Sequence, residues 1–222
     1  MRVNPTLATM LFISLLHVGC SALRESPKYQ LSDGNYLYKR EGQKYEKVRV
    51  YVVDDSVGLR SAASGNIIPI DDRQKQYFLM KSFDVDVTTT LFKYRPATEN
   101  LPRQLNPEFN GNVFIGYRFD RFTIYHETTP FGSDRHHKHW ALTGGVFGGF
   151  GSTQVTPWTT NYRTQDEYGA FILSRGVACL IGLKTITVGL AVGWDWISDR
   201  DQDIWIYQNK PWYGLTVGLN LN

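Results

Sequence analysis

Cysteine is almost missing from this chain: Cys20 and Cys179 are the only two in 222 residues. With Cys20 sitting at the end of an apolar leader, Cys179 stands alone, and a disulfide framework is excluded. Its expected place is that of a small buried or lipid-facing apolar residue. Tryptophan is missing before Trp140, and glycine is sparse in the first half, with five in residues 1–110 against 15 in residues 111–222. These two gaps divide the chain into regions with different physics. Charge is scarce between Trp140 and Ser198, where only Arg163, Asp166, Glu167, Arg175, Lys184 and Asp195 occur. No apolar run reaches the roughly 20 residues that a spanning helix needs. The formal net charge of +3 is small, and no basic stripe points to nucleic acid.

What is present begins with a leader. Met1 and Arg2 precede an apolar run from Leu7 to Val18, followed by Gly19 and Cys20. A short positive start, a run of this length and small residues after it describe a secretory signal over residues 1–22. Two cleavage readings fit it. Val18-Gly19-Cys20 matches the end of a lipoprotein signal, which makes Cys20 the candidate lipid anchor; cleavage after Ala22 is the other.

The rest reads as strands. Asp33-Gly34 and Glu41-Gly42 are turn dipeptides, and Tyr36, Tyr38, Tyr45, Val48, Val50, Tyr51, Val52 and Val53 around them are strand formers. A small water-exposed β meander is therefore expected over residues 29–60, with residues 61–76 as a linker. Together they make an N-terminal β-rich segment, 23–80. From residue 81 to 222 the pattern predicts eight strands: 82–94, 112–119, 121–128, 139–150, 152–158, 169–183, 185–197 and 212–221. Tight turns are expected near Asp120, at Gly151 and at Lys184-Thr185, and long connections over 95–111, 129–138, 159–168 and 198–211. Strict alternation of long and short connections is the asymmetry of an outer-membrane barrel.

Each strand carries two tracks. Ile186, Val188, Leu190, Val192, Trp194 and Trp196 alternate with Thr187, Gly189, Ala191, Gly193 and Asp195. Tyr213, Leu215, Val217, Leu219 and Leu221 alternate with Gly214, Thr216, Gly218 and Asn220. A soluble lipocalin-like ligand-binding barrel would turn the apolar track inward and face water with glycine, alanine and threonine, whereas soluble surfaces carry abundant charge. A lipid-facing apolar track around a narrow interior fits better. Tyr94, Trp140, Trp158, Trp194, Trp196, Trp212 and Tyr213 then form an interfacial girdle on the loop side. The expected fold is all-β: a closed antiparallel up-and-down transmembrane barrel of about eight strands, with the small N-terminal meander. Its inward track holds Asp84, Asp86, Thr88, Arg118 and Asp195. Buried charges must pair, so Arg118 is expected to meet one or more of Asp84, Asp86 and Asp195 in an interior charge network that fills the lumen. Arg175 falls on the apolar track, where only a bulge or a position near the rim would accommodate it.

This barrel resembles the small outer-membrane β-barrel proteins of Gram-negative bacteria, of which the OmpA-type transmembrane domain is the familiar example. The closing run from Trp205 to Asn222 is also similar to outer-membrane proteins of Bacteroidetes. Gly214, Val217 and Leu219 fit the glycine-plus-spaced-apolar assembly signal of such proteins. The likeness covers roughly residues 81–222. It implies export through the inner membrane, an outer-membrane location, and contact with outer-membrane lipid, lipopolysaccharide and a surface or periplasmic protein partner.

Motifs with chemistry are weak. His136, His137 and His139 cluster with Asp134, and His126 precedes them, a set that spacing alone would allow to bind Zn²⁺ or Cu²⁺. The expectation is instead a polar exposed loop and no metal. A rim-sited lipid-modifying enzyme of the acylase or phospholipase class would use Ser133 as nucleophile and His126 or His136 as base, oriented by Glu127 or Asp134, but no Gly-x-Ser-x-Gly elbow is present. The glycines of Gly144–Gly151 lack the Lys-Ser/Thr ending of a phosphate loop and read as relief of crowding inside a narrow barrel. Asp199, Asp201 and Asp203 alternate, without the glycine and final glutamate of a calcium loop. The expectation is a non-enzymatic surface or structural protein without cofactors.

Overall fold

The computed structural model describes residues 29–53, 56–70, 74–98, 101–130, 132–183 and 186–219. The leader and Cys20 lie outside them. Among the described residues there is no α-helix. Ten strands form one antiparallel sheet: β1 (Gly34–Arg40), β2 (Glu46–Val53), β3 (Ser56–Ser61), β4 (Ile67–Ile68), β5 (Gln76–Arg95), β6 (Gln104–Thr129), β7 (Gly132–Val155), β8 (Tyr168–Leu183), β9 (Ile186–Ile197) and β10 (Pro211–Leu219). Their order is β10-β9-β8-β7-β6-β5-β1-β2-β3-β4, and a further β10–β5 pairing closes β5 to β10 into a six-strand ring.

The 20-residue β5 makes both the ring and its extension. Near its start, Gln76 to Leu79 pair with Arg40 to Leu37 of β1. Further along, Val87 to Tyr94 pair with Leu219 to Tyr213 of β10. On its other edge β6 runs beside it from Gln76 to Arg95. The meander is thus not joined by a linker to a separate body. It continues the same sheet away from the ring, and β4 falls inside the segment 61–76 that composition marks as a linker.

Three long connections, 96–103, 156–167 and 198–210, sit at one end of the ring. The ends of β6 and β8 and the starts of β7 and β9 lie at the other, with the meander. The chain enters and leaves the ring at this turn end, as an even strand count requires.

The ring has six strands, not eight. Segments 112–119 and 121–128 are one strand, β6, and 139–150 and 152–158 are one strand, β7. Asp120 makes no turn: it pairs with Met80 and Ala141 in the ladder, and its carboxylate points inward to a cation. Gly151 pairs with Ile172 and faces inward, where a Cβ would collide with the Asn110 amide. A charge with a buried partner and a glycine under close contact both mimic turn chemistry in sequence. Residues 104–111 and 132–138, expected in long loops, are strand as well.

The two faces are inverted relative to a water-soluble sheet. Inward positions hold Asp84, Asp86, Thr88, Thr90, Asn112, Arg118, Thr143, Thr187 and Asp195, all buried. Outward positions hold Phe83, Val85, Val87, Val113, Ile115, Leu142, Val146, Val177, Ile181, Val188 and Leu190. Phe83 is 69% exposed and Leu190 71% exposed, while Arg118 and Asp195 are 0% exposed. The outer face is a continuous apolar belt.

Inside, apolar and polar layers alternate. Leu101, Val155, Ile172, Ile197, Trp205 and Tyr207 pack at the loop end. Phe114, Phe147, Ala178, Leu180, Ala191 and Trp212 fill the middle. Tyr36, Tyr38, Val50, Phe78, Phe122 and Ile124 form the core beneath the meander.

The bore is narrow enough that large side chains need glycines opposite. The buried Trp212 ring occupies the space where a Cβ on Gly193 would sit, whereas a Cβ on the outward Gly144 meets nothing. A Gly193→Val variant is expected to lose about 1–3 kcal/mol through overpacking, seen as a lower urea midpoint. Gly144→Val should leave that midpoint near the parent value.

Candidate functional site

The interior of the ring carries two buried polar clusters. The larger lies toward the loop end. A bulge in β5 puts it there: Leu91 has no partner in either neighbouring ladder, and the register shifts by one between Thr90 and Phe92. A one-residue slip exchanges the faces of a strand. Before the bulge Asp84, Asp86, Thr88 and Thr90 point inward, and after it Lys93 and Arg95 do.

Asp195 of β9 is the hub. Lys93 Nζ donates to Asp195 Oδ1 and Oδ2 at 3.0 and 2.8 Å. Arg95 Nη2 donates to Oδ2 at 2.6 Å, Ser174 Oγ to Oδ1 at 2.6 Å, and Trp212 Nε1 to Oδ1 at 2.8 Å. Glu108 of β6 sits 3.2 Å from both Lys93 Nζ and Arg95 Nη2, and Thr153 Oγ1 donates to it at 3.1 Å. Two cations meet two carboxylates, so the formal charge of these four groups cancels. The cations are also clamped by rings: Lys93 Nζ lies 4.6 Å from the centre of Trp212, and the Arg95 guanidinium 4.9 Å from that of Tyr207.

The second cluster lies toward the turn end. Arg118 Nε donates to Asp120 Oδ1 at 2.9 Å, and its Nη1 is 3.5 Å from Asp84 Oδ2. His139 Nε2 is 2.8 Å from Asp120 Oδ1, and Thr143 Oγ1 donates to Asp84 at 3.4 Å. Asp86 is buried one inward position further along β5. Arg118 and Asp84 are brought together, while Asp195 belongs to the other cluster with Lys93 and Arg95. Asp120, Lys93, Arg95 and Glu108 were not legible as interior charges. Asp120 mimics a turn, the bulge reverses the phase of Lys93 and Arg95, and Glu108 falls in an expected loop.

The connections close the loop end. Trp205 and Tyr207, from 198–210, are buried beneath it. Ile206 N donates to Thr159 O at 3.0 Å, and Asn209 N to Asp195 O at 2.8 Å. Tyr168 Oη donates to Asp201 Oδ2 at 2.8 Å, and Arg200 bridges Asp201 and Asp166. Asp201 is thus engaged by protein groups, and Asp199 Oδ1 accepts from Arg200 N at 2.7 Å. Burial raises the Tyr207 phenol above its ordinary range, against the pull of nearby Arg95.

The histidines are not a cluster in space. His136, His137 and His139 lie on β7, not in a loop, and alternation sends His136 to one face and His137 and His139 to the other. His136 faces outward, stacked on Tyr125 at 5.4 Å, with Glu127 at 3.6 Å and Asp134 at 3.8 Å. His139 turns inward to Asp120. His126 shares the inner face with Phe122 and Ile124, opposite to His136, and Ser133 pairs with Thr128 at the hairpin tip. Among the described residues, no group of three His, Cys, Asp or Glu side chains gathers as a metal site. Two girdle positions also move. Trp212 is buried inside the ring, and Trp140 stands at the turn-side edge of the belt, paired with Arg121.

Chemically, the Asp195 and Glu108 carboxylates of the larger cluster each accept from several donors. The cluster cross-links β5, β6, β8, β9 and β10 through the lumen. Removing one partner of a buried ion pair strands the other and costs roughly 3–5 kcal/mol. Asp195→Ala is expected to destabilise the fold by about that much in equilibrium unfolding followed by tryptophan fluorescence. Asp195→Asn, which keeps the shape and the hydrogen bonds to Ser174 or Trp212, should cost less. No family model, curated protein or solved structure matches this chain.

Proposed function

We infer that this chain is a non-enzymatic integral membrane protein: a small β-barrel of the bacterial outer membrane, reached by export. The observation that carries the reading is the inversion of the ring, with a charged, buried interior and an apolar exterior. Exposed apolar patches on monomeric soluble proteins rarely exceed roughly 600 Å². Here the outward side chains of all six ring strands are apolar over most of their length, with Arg175 the one outward charge from Trp140 to Trp196 along β7, β8 and β9. Lipid tails are the solvent that such a face fits, and closure leaves no ring strand with an unpaired edge in it. A soluble ligand-binding barrel needs the opposite arrangement, with the apolar track lining the bore.

The filled bore and the capped loop end support a structural or surface-contact role over a conducting pore. The three long connections would face outward, where lipopolysaccharide or a partner protein meets them. An open cleft of about 770 Å³ beside them, lined by Leu101, Pro102, Glu108, Phe109, Thr153 and Trp158, offers a mixed polar and apolar contact surface.

Heat-modifiability of the membrane-fraction protein tests this. The unheated sample should run faster on a denaturing gel and shift to the position of the unfolded chain on boiling. A single unshifted band, with the protein released by an alkaline wash, would overturn the membrane reading.

A further inference from the structure

The apolar belt has a sharp lower border on β5, β6 and β7, and the border is cationic. Outward residues of β6 run Val113, Ile115, Tyr117, Phe119 and then Arg121, Thr123 and Tyr125. On β5 the sequence toward the turn end is Val85, Phe83 and then Lys81, Leu79 and Tyr77. On β7 it is Leu142, Trp140 and then Lys138 and His136. The registers make these one patch. Lys81 pairs with Phe119, and Leu79 with Arg121. Arg121 pairs with Trp140, and Thr123 with Lys138. Lys39 of β1 extends the row by pairing with Tyr77.

Each of these cations rests on a ring. Lys81 Nζ lies 5.3 Å from the centre of Phe119, the Arg121 guanidinium 4.9 Å from Tyr77, and Lys138 Nζ 5.0 Å from Tyr125. Lys39 Nζ lies 5.3 Å from Tyr77. Between the belt and the hairpin tip, the outward positions of these three ring strands hold no carboxylate. Glu127 and Asp134 come only at the tip, beside His136. Positive charge is thus concentrated in the two or three rows next to the apolar belt and left without protein counter-charge on that face.

We propose that this border, with Lys81, Arg121 and Lys138 at its centre, binds the phosphates of anionic phospholipid headgroups in the leaflet on the turn side. The proposal rests on the membrane reading above. Stems of Lys and Arg lie along apolar surface while their heads reach polar groups, and rings hold the heads in place. A basic group near an anionic lipid surface contributes on the order of 1 kcal/mol. Three or four acting together give selectivity for anionic over zwitterionic lipid. The same border fixes how deep the ring sits and keeps the meander out of the bilayer.

The test compares the parent chain with Lys81→Gln/Arg121→Gln/Lys138→Gln, whose outward side chains leave the interior clusters untouched. Both proteins are first folded into phosphatidylcholine vesicles and checked for heat-modifiability. They are then moved to micelles containing equimolar phosphatidylglycerol and phosphatidylcholine, and the retained lipids are counted by native mass spectrometry. The parent should retain phosphatidylglycerol several-fold over phosphatidylcholine, and the triple variant should retain both about equally. A parent that inserts but shows no preference, or a variant that keeps it, overturns the inference while leaving the membrane reading intact. Loss of the bound phosphatidylglycerol to inorganic phosphate at matching concentration would overturn the assignment to lipid in favour of a free anion. Failure of the parent to enter the vesicles would overturn the membrane reading itself.

Discussion

The ring is organised around the cost of burying Lys93 and Arg95. Placing an unpaired ammonium or guanidinium in a water-poor lumen costs several kcal/mol per ion, and two of them side by side repel as well. Asp195 offsets this by accepting from both, and Glu108 supplies the second negative charge. The four groups come from β5, β6 and β9, and Ser174 and Trp212 add β8 and β10. Distant strands are therefore held in one register by a single carboxylate. A shift of β9 by one residue would turn Asp195 outward into the apolar belt and leave both cations without it. The charge cluster penalises every register but one, which a ladder of interchangeable backbone hydrogen bonds cannot do alone.

This specificity depends on the bulge at Leu91. Ahead of it, β5 turns two carboxylates inward toward the turn end, where Arg118 sits. Beyond it, the same strand turns two cations inward toward the loop end, where Asp195 and Glu108 sit. One strand with unbroken alternation would carry Asp84 and Asp86 inward and Lys93 and Arg95 out into the belt. The extra residue lets β5 serve both clusters with the sign each requires. It also keeps Phe92 and Tyr94 on the apolar exterior, where Tyr94 meets Tyr213 of β10 at 6.4 Å.

Sequence legibility follows from the same features. The tracks of β9, and of β10 from Tyr213 to Val217, read correctly because alternation there is unbroken, with branched or aromatic residues on one face and small or polar ones on the other. The turn at Lys184-Thr185 lies outside the described residues, but β8 and β9 on either side of it have the expected bounds to within a few residues. Strand count failed where one residue type serves two purposes. Asp120 and Gly151 look like punctuation, yet one is an inward anion and the other an inward gap. The charge network was legible in its principle and in Arg118 with Asp84, since a buried cation must be paired. Its larger half was not, because alternation counted from Asp84 assigns Lys93 and Arg95 to the wrong face. A bulge leaves no compositional mark, so only the pairing of strands reveals it.

The two ends of the ring solve opposite problems. At the loop end the polar cluster lies close to the opening, and 198–210 folds inward so that Trp205 and Tyr207 cover it, with Tyr207 resting on Arg95. At the turn end β5, β6 and β7 outrun the ring, and their inward face becomes apolar at Phe78, Met80, Phe122 and Ile124. An open edge of β5 there would expose both unpaired backbone groups and this apolar face. The meander meets both needs, since β1 completes the ladder on β5 while Tyr36, Tyr38, Val48 and Val50 cover the core. The outward face changes character at the same level, from apolar above to basic and aromatic below. Inner and outer faces therefore exchange polarity together along β5 and β6. On the membrane reading proposed above, these strands pass from lipid into water, and each face matches what lies against it at every row.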